Sequence, residues 1–129
     1  MATIAYLSNT RWPWCTEVHV AQALAALDHD VILLQEDEVT VADIEDTASG
    51  CDLFLFTRTW GCHDPNDMVH LYERLHAAGT PTASYHLDLY VGLDRQATIS
   101  GDPFWLTDRV FHPDGSPQAA ALLASHGIQ

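Results

Sequence analysis

Runs of apolar residues alternate along the chain with segments of helical periodicity. The runs are almost continuously apolar, which is typical of parallel strands that are buried on both faces. They predict five strands, over Thr3–Leu7, Asp30–Gln35, Cys51–Thr57, the first half of Thr82–Tyr90, and Arg109–His112.

Helices are predicted in the segments between these strands. The first is expected to use Thr16 as its N-cap and to bury an apolar stripe formed by Val20, Ala23, Leu24 and Leu27. A cap followed by a stripe indicates three more: one capped by Thr40, one with Pro65 near its start and Gly79 as its C-cap, and one from Ser116 and Pro117 to Ser125.

The alternation of strands and helices predicts the fold class. Parallel strands are joined by right-handed crossovers, whose helices cover the faces of the sheet. We therefore expect an α/β protein, a Rossmann-like three-layer sandwich with a mostly parallel sheet of about five strands. Residues 1–129 show no internal repeat and no linker, so they are predicted to form a single Rossmann-like domain.

The acidic composition of the chain excludes some classes of binding partner. The chain has 18 acidic residues against 5 basic ones, all of them arginine, and a formal net charge of -13. Such a field repels phosphate backbones and anionic lipids, so no nucleic acid and no membrane surface is expected as a partner. No apolar segment approaches the roughly 18 residues of a membrane span. Three cysteines without a CxxC pair predict a reducing, cytoplasmic location.

Polar and aromatic residues follow each predicted strand. In an open parallel sheet, ligands bind outside the carboxyl ends of the strands, where the strand order reverses. These side chains are therefore expected to converge on one edge of the sheet. In chain order they are Asn9, Arg11, Trp12 and Trp14; Glu36 and Asp37; Arg58, Trp60, His63 and Asp64; His86, Asp88 and Tyr90; and Asp114.

A histidine and a carboxylate end the stretch "TASYHLDLY". With an ordinary pKa of about 6.5, His86 can take a proton from a hydroxyl near neutral pH, and Asp88 can orient its ring. This predicts a catalytic pair. In the alternative interpretation, Asp88 caps the turn and His86 bonds a backbone carbonyl.

The loops after the first, third and fourth strands carry the candidate binding residues. The faces of Trp12 and Trp14 suit a sugar ring or a nucleobase; alternatively, one of them closes the core over the first helix. Arg11 and Arg58 indicate an anionic group in the ligand, with surface ion pairs as the competing explanation. Asn9, Trp60 and Tyr90 complete the predicted substrate-binding set.

Motifs for metals and cofactors are missing from the sequence. Cys62-His63-Asp64 does not have the spacing of a zinc site, and neither GxGxxG nor GxxxxGK[ST] occurs. A phospho-acceptor receiver domain would need a lysine, and an α/β hydrolase of the usual type would need GxSxG. No metal and no cofactor is therefore predicted.

Several segments, in the same order, resemble the N-terminal domain of GT-B glycosyltransferases. Leu24–Val31 is similar to their "La.aLgHeV" phrase, with Asp28 in place of the glycine. "GCDLFLFTRTWG" looks like their third strand and loop, and "AAGTPTASYHLDLY" is similar to a segment with a histidine in the acceptor cleft. "DRVFHPDGS" followed by a helix resembles the end of that domain.

The resemblance implies half of a two-domain enzyme. In that family the N-terminal domain holds the acceptor, and a second domain holds the nucleotide-sugar donor. The expected substrates are therefore a nucleotide sugar and an acceptor. The donor domain would come from a second chain, or the protein would form a homo-oligomer. His86 is the position that matches the family's catalytic or acceptor-contacting histidine. A non-catalytic binding or interaction module with the same fold is the alternative.

Overall fold

The computed structural model describes all residues, 1–129, as five strands and four helices. The strands are β1 (Thr3–Ser8), β2 (Asp30–Gln35), β3 (Leu53–Phe56), β4 (Thr82–Tyr85) and β5 (Arg109–Phe111). The helices are α1 (Thr16–Ala26), α2 (Val41–Ala48), α3 (Pro65–Ala77) and α4 (Pro117–Ser125). Two short 3-10 helices, Asp94–Thr98 and Pro103–Trp105, lie in the long connection between β4 and β5.

All five strands are parallel, in the order β2-β1-β3-β4-β5. The predicted α/β class and Rossmann-like three-layer arrangement are confirmed. The chain leaves β1 toward β2 and then returns to β3 on the other side of β1. The strand order therefore reverses between β1 and β3, and this is where a sheet of this topology opens a crevice at its carboxyl edge.

The two faces of the sheet are covered unequally. The main core has 17 buried residues and joins one face to α2, α3, α4 and the 3-10 helices. The opposite face has a smaller core of five buried residues, which packs against α1. Most of the apolar burial that holds the domain together therefore lies on the α3 side.

The sequence prediction for α1 was partly wrong. Cys15, not Thr16, is the N-cap, and it makes no side-chain cap hydrogen bond. The buried positions are Glu17 and Ala21, whereas Leu27 is 68% exposed. Val20 and Leu24 of the predicted stripe do pack against the sheet. The stripe also includes Glu17, which is turned inward and accepts a hydrogen bond from the Thr59 hydroxyl at 3.0 Å.

The other helix boundaries follow the predicted chemistry. Thr40 forms a reciprocal capping box with Asp43, and Ser116 accepts from the backbone N–H of Ala119. Asp28 adopts a left-handed conformation with a φ of 67°, which fits the glycine that the resemblance places there. In addition, none of the helices combines the length and the apolar character needed to cross a bilayer.

Candidate functional site

A cleft of about 220 Å³ lies at the carboxyl edge of the sheet, beside the point where the strand order reverses. Its walls come from α1, from the segment after β3, from the segment after β4 and from the second 3-10 helix. They consist of Glu17, Arg58, Thr59, His86, Leu87, Asp88, Tyr90 and Phe104. The expected convergence of polar side chains at this edge is therefore seen for the ends of β3 and β4.

Glu36, the first residue after β2, organises the loop after β3. Its carboxylate is fully buried and accepts hydrogen bonds from the backbone N–H groups of Thr59, Trp60 and Gly61, at 3.0 to 3.1 Å. Successive N–H groups that converge in this way form an anion-binding nest. Because the protein's own carboxylate fills the nest, these amides are not free to bind the phosphate of a ligand.

His86 forms part of the cleft wall but is 2% exposed. Its ring packs on Phe104 and Trp105, with centroid distances of 3.7 and 3.8 Å. Nε2 lies 2.9 Å from the carbonyl oxygen of Phe104 and 3.1 Å from the Ser84 hydroxyl. Since a carbonyl only accepts, Nε2 carries the proton and donates to Phe104. This is the backbone bond of the alternative interpretation.

The environment of His86 keeps the imidazole neutral. Burial lowers its pKa to about 4, and the backbone hydrogen bond to Phe104 only partly offsets this effect. Nδ1 has no hydrogen-bond partner, although it is buried. The ring therefore has one satisfied nitrogen and one unused acceptor, and it is a weak base at neutral pH.

Asp88 does not orient His86. Its carboxylate is 68% exposed and pairs with Arg95 at 3.5 Å, whereas the imidazole is held by Phe104 and Ser84. The prediction that Asp88 orients the imidazole is therefore corrected. The reason is the connection after β4, which folds back and supplies a closer partner for each side chain.

Arg58 lies in the cleft wall with its charge already paired. It makes two parallel hydrogen bonds to Asp102, both of 2.7 Å, and its guanidinium lies 4.6 Å from the centre of the Phe104 ring. Burial by itself would raise the pKa of Asp102, but the hydrogen bonds from Arg58 and from the backbone N–H of Phe104, together with the charge of Arg58, outweigh it and lower that pKa. The pair forms a rigid edge of the cleft.

Arg11 is also paired, but at the surface. Its guanidinium reaches Asp37 at 2.8 Å and Glu38 at 3.0 Å, and its side chain is 39% exposed. It also lies 5.9 Å from the centre of the Trp60 ring. The competing prediction of ion pairs describes both arginines in this structure, since each has carboxylate partners.

Three tryptophans are exposed beside this edge. Trp12 and Trp14 stack on each other, with a centroid distance of 5.4 Å and an interplanar angle of 13°. Trp14 is 72% exposed, Trp12 46% and Trp60 49%. Neither Trp12 nor Trp14 closes the core over α1, since both are exposed. The buried tryptophan is Trp105. The loops after β1 and β3 therefore present flat apolar rings to solvent, and exposed aromatic patches are typical of interaction sites.

The remaining predicted binding residues have structural contacts. Asn9 is buried and its side-chain oxygen accepts from the Gln35 amide at 3.0 Å. Tyr90 lines the cleft, with its ring edge-on to Trp105 at 5.0 Å. Asn9 fixes the start of the tryptophan loop, while Tyr90 is placed to contact a ligand.

The remaining predicted residues at this edge, His63, Asp64 and Asp114, make contacts that hold their own loops in place. His63 Nε2 lies 2.9 Å from the carbonyl of Val39, while Asp64 caps α3 and Asp114 accepts from the backbone N–H of Ser116. No group of three or more such side chains is arranged as metal ligands. These residues fix loops on either side of the carboxyl edge.

Sequence reasoning missed the segment that encloses the cleft. Asp102, Phe104 and Trp105 come from the connection between β4 and β5 and supply the partners of Arg58 and His86. The sequence did contain one signal for this segment: the dipeptide Asp102-Pro103, since an aspartate followed by a proline is typical of the start of a helix. The side chain of Asp102 does accept from the backbone N–H of Phe104.

A larger hollow, of about 740 Å³, lies at the opposite end of the sheet. Its lining includes Leu53, Thr82, Asp108 and Arg109 at the amino ends of the strands. The Asp108 carboxylate is used by Thr82, which donates to it from its backbone N–H at 2.8 Å. We favour the smaller cleft as the site, because ligands of open α/β sheets bind at the carboxyl ends.

A comparison of the chain with protein-family models and with curated protein sequences finds no match.

Proposed function

We propose that this chain binds a sugar-bearing acceptor at its carboxyl edge and takes part in glycosyl transfer from a nucleotide sugar, with the donor bound by a domain on another chain. The stacked, exposed pair Trp12 and Trp14 carries the proposal. Flat aromatic faces cover the C–H surface of a sugar ring, and this pair lies on the loop after β1, where the strand order reverses.

The cleft provides polar groups at the same edge of the sheet as this tryptophan pair. Trp60 follows Thr59, which lines the cleft together with Tyr90 and Asp88. Hydroxyl and carboxylate groups of this kind bind sugar hydroxyls, and the adjacent tryptophan contributes apolar contact area. This combination favours a neutral, hydroxyl-rich ligand over a phosphorylated one, because both nearby arginines already have carboxylate partners.

Of the two roles predicted for His86, the general base is disfavoured, and the buried imidazole offers little surface for contact with an acceptor. A pKa of about 4 gives the imidazole little driving force to take a proton from a hydroxyl at neutral pH. The same observation favours a second candidate function, a non-catalytic sugar-binding module. The two candidates share the binding site and differ in whether a product forms.

The test combines binding with chemistry. The purified chain is titrated with methyl glucoside, methyl galactoside and N-acetylglucosamine, and tryptophan fluorescence is followed. We expect saturable binding of at least one sugar, which Trp14→Ala weakens about tenfold or more. The control Phe111→Ala, on an exposed ring of β5, should bind like the wild type. No saturable binding of any sugar would overturn the proposal.

Product formation then separates the two candidates. The chain is incubated with nucleotide sugars and the sugar that it binds, with and without cell extract, and products are detected by mass. A glycosylated product that depends on the chain supports transfer. Binding without any product under either condition supports the non-catalytic module.

A further inference from the structure

The two edges of the sheet end differently. At the β5 edge, the backbone N–H of Val110 donates to the carbonyl of Gln129, at 2.6 Å, so Gln129 covers this three-residue strand. At the other edge, β2 has six residues and pairs with β1 alone. The longer edge strand is therefore the uncovered one.

Half of the peptide groups of β2 point outward. The N–H groups of Asp30 and Glu36 donate to carbonyls on the β1 side, at 2.9 and 3.0 Å. Alternate peptide groups of a parallel strand point to opposite sides, so the N–H groups that face the open edge are those of Val31, Leu33 and Gln35. An uncovered row of this kind is a template for the addition of a strand.

Apolar side chains flank this open edge. Leu33 is 50% exposed and Ile32 36%, and the two point to opposite faces of the sheet. On the face that α1 covers, Leu33 lines an apolar groove of about 340 Å³, together with Val18 and Ala21 of the helix. An added strand would have a seat for one apolar side chain beside its main-chain bonds.

Acidic residues at both ends of β2 determine which kind of segment can bind at this edge. Asp28 and Asp30 lie at the start of β2, and Asp37 and Glu38 follow its end, where Arg11 is their only cationic partner. A second copy of the chain would bring another net charge of -13 to this edge. The acidic ends therefore oppose self-association and attract a basic segment.

We propose that the open edge of β2 docks an extended segment of a protein partner, with apolar side chains at alternate positions and lysine or arginine at both ends. Main-chain hydrogen bonds to the outward peptide groups give affinity, and the groove beside α1 selects the apolar side chain. The inference does not rest on the proposed function, since it uses the backbone of β2 and not the cleft.

The test follows amide hydrogen exchange in the full chain. The probe is a nine-residue peptide of alternating valine and threonine with a lysine at each end. We expect the peptide to slow exchange at Val31, Leu33 and Gln35 by about tenfold or more. The same peptide with glutamate at its ends should bind about tenfold more weakly or not at all.

Variants of β2 test whether the slowed amide exchange comes from a peptide that is bound at the open edge of this strand. Leu33→Pro removes one outward N–H and leaves the bonds to β1, so it should abolish binding. If that variant does not fold, Leu33→Lys should weaken binding by removing the apolar contact and repelling the basic peptide. Phe111→Lys is the matched control on the other edge and should bind normally. Unchanged exchange at the three amides, equal binding of both peptides, or protection through a dimer of the chain would overturn the proposal.

Discussion

Glu36 and His86 are both buried at the carboxyl edge of the sheet, 0% and 2% exposed, yet their polar atoms are satisfied to different degrees. Glu36 accepts from three backbone N–H groups and makes the loop after β3 a closed, self-sufficient unit. His86 uses Nε2 and leaves Nδ1 without a partner. The β3 loop is therefore a fixed support, while the wall on the β4 side retains unused polar capacity beside the cleft.

The two buried side chains differ in how many of their polar atoms are hydrogen-bonded, and this difference should appear in the stability of their variants. A buried charge is tolerated only when its hydrogen bonds are complete, as they are for Glu36. A buried polar atom without a partner, such as His86 Nδ1, lowers stability.

The largest effect is expected for Glu36→Ala. The variant removes the fully buried carboxylate that accepts from three backbone N–H groups, so the free energy of unfolding should fall by on the order of 4 kcal/mol. Urea denaturation measures the change, and Glu73→Gln, on an exposed side chain, should shift it by less than about 0.5 kcal/mol. Glu36→Gln keeps one acceptor oxygen and should lie between the two. A loss below about 1 kcal/mol in Glu36→Ala would show that the loop does not depend on this carboxylate.

The pH dependence of His86 comes next. Its folded pKa of about 4 lies below the unfolded value of about 6.5, so the unfolded chain binds more protons in that window. Stability therefore rises with pH, and this group alone should remove about 2 kcal/mol between pH 7 and pH 5.

The variant His86→Phe isolates this contribution, because the new ring fills the same space but does not titrate. Its stability should fall less steeply than that of the wild type over the same pH range. His126→Gln, on an exposed residue, should keep the wild-type slope. Parallel pH profiles for wild type and His86→Phe would contradict the neutral, buried imidazole.

A smaller difference is expected between the two arginines. Arg58→Lys loses the paired geometry with Asp102 and the contact with Phe104, which should reduce the free energy of unfolding by about 1.5 kcal/mol. Arg11→Lys changes an exposed ion pair and should have an effect below about 0.5 kcal/mol. Chemical denaturation of both variants checks the order, and equal losses would mean that the wall around Arg58 is no more rigid than the surface.

The smallest effect on stability is expected for Trp14→Ala. With 72% of the residue exposed, its removal should change the free energy of unfolding by less than about 0.5 kcal/mol. The same variant is expected to lose sugar binding, so binding and stability should separate. A large destabilisation would show that this ring supports the fold and would remove the reason to regard it as a binding surface.

Periodicity and caps predicted the strands, three of the helices and the convergence of polar side chains at the carboxyl edge of the sheet. They succeeded because Met68, Leu71, Tyr72 and Leu75 face the core from a single helix, and such a stripe is a local property. The inward turn of Glu17 broke the pattern in α1. A polar residue faces the sheet there because Thr59, 42 residues away, offers it a hydrogen bond.

The partners of the candidate site residues could not be predicted in this way. Arg58 meets Asp102 across 44 residues, and His86 meets Phe104 across 18, through a connection with little regular structure. Such contacts depend on how the segment between β4 and β5 packs, which no local spacing specifies. The catalytic role of His86 and the binding roles of the tryptophan loop therefore stay predictions.

The central claim is that the tryptophan loop and the adjoining cleft at the carboxyl edge form a sugar-binding site. The most direct measurement is a titration of the isotope-labelled chain with the three test sugars, followed through its four indole N–H resonances. The account predicts saturable shifts of the Trp12 and Trp14 signals, a smaller shift at Trp60, and little change at the buried Trp105. Four unmoved indole signals at saturating sugar, or shifts confined to Trp105, would contradict it.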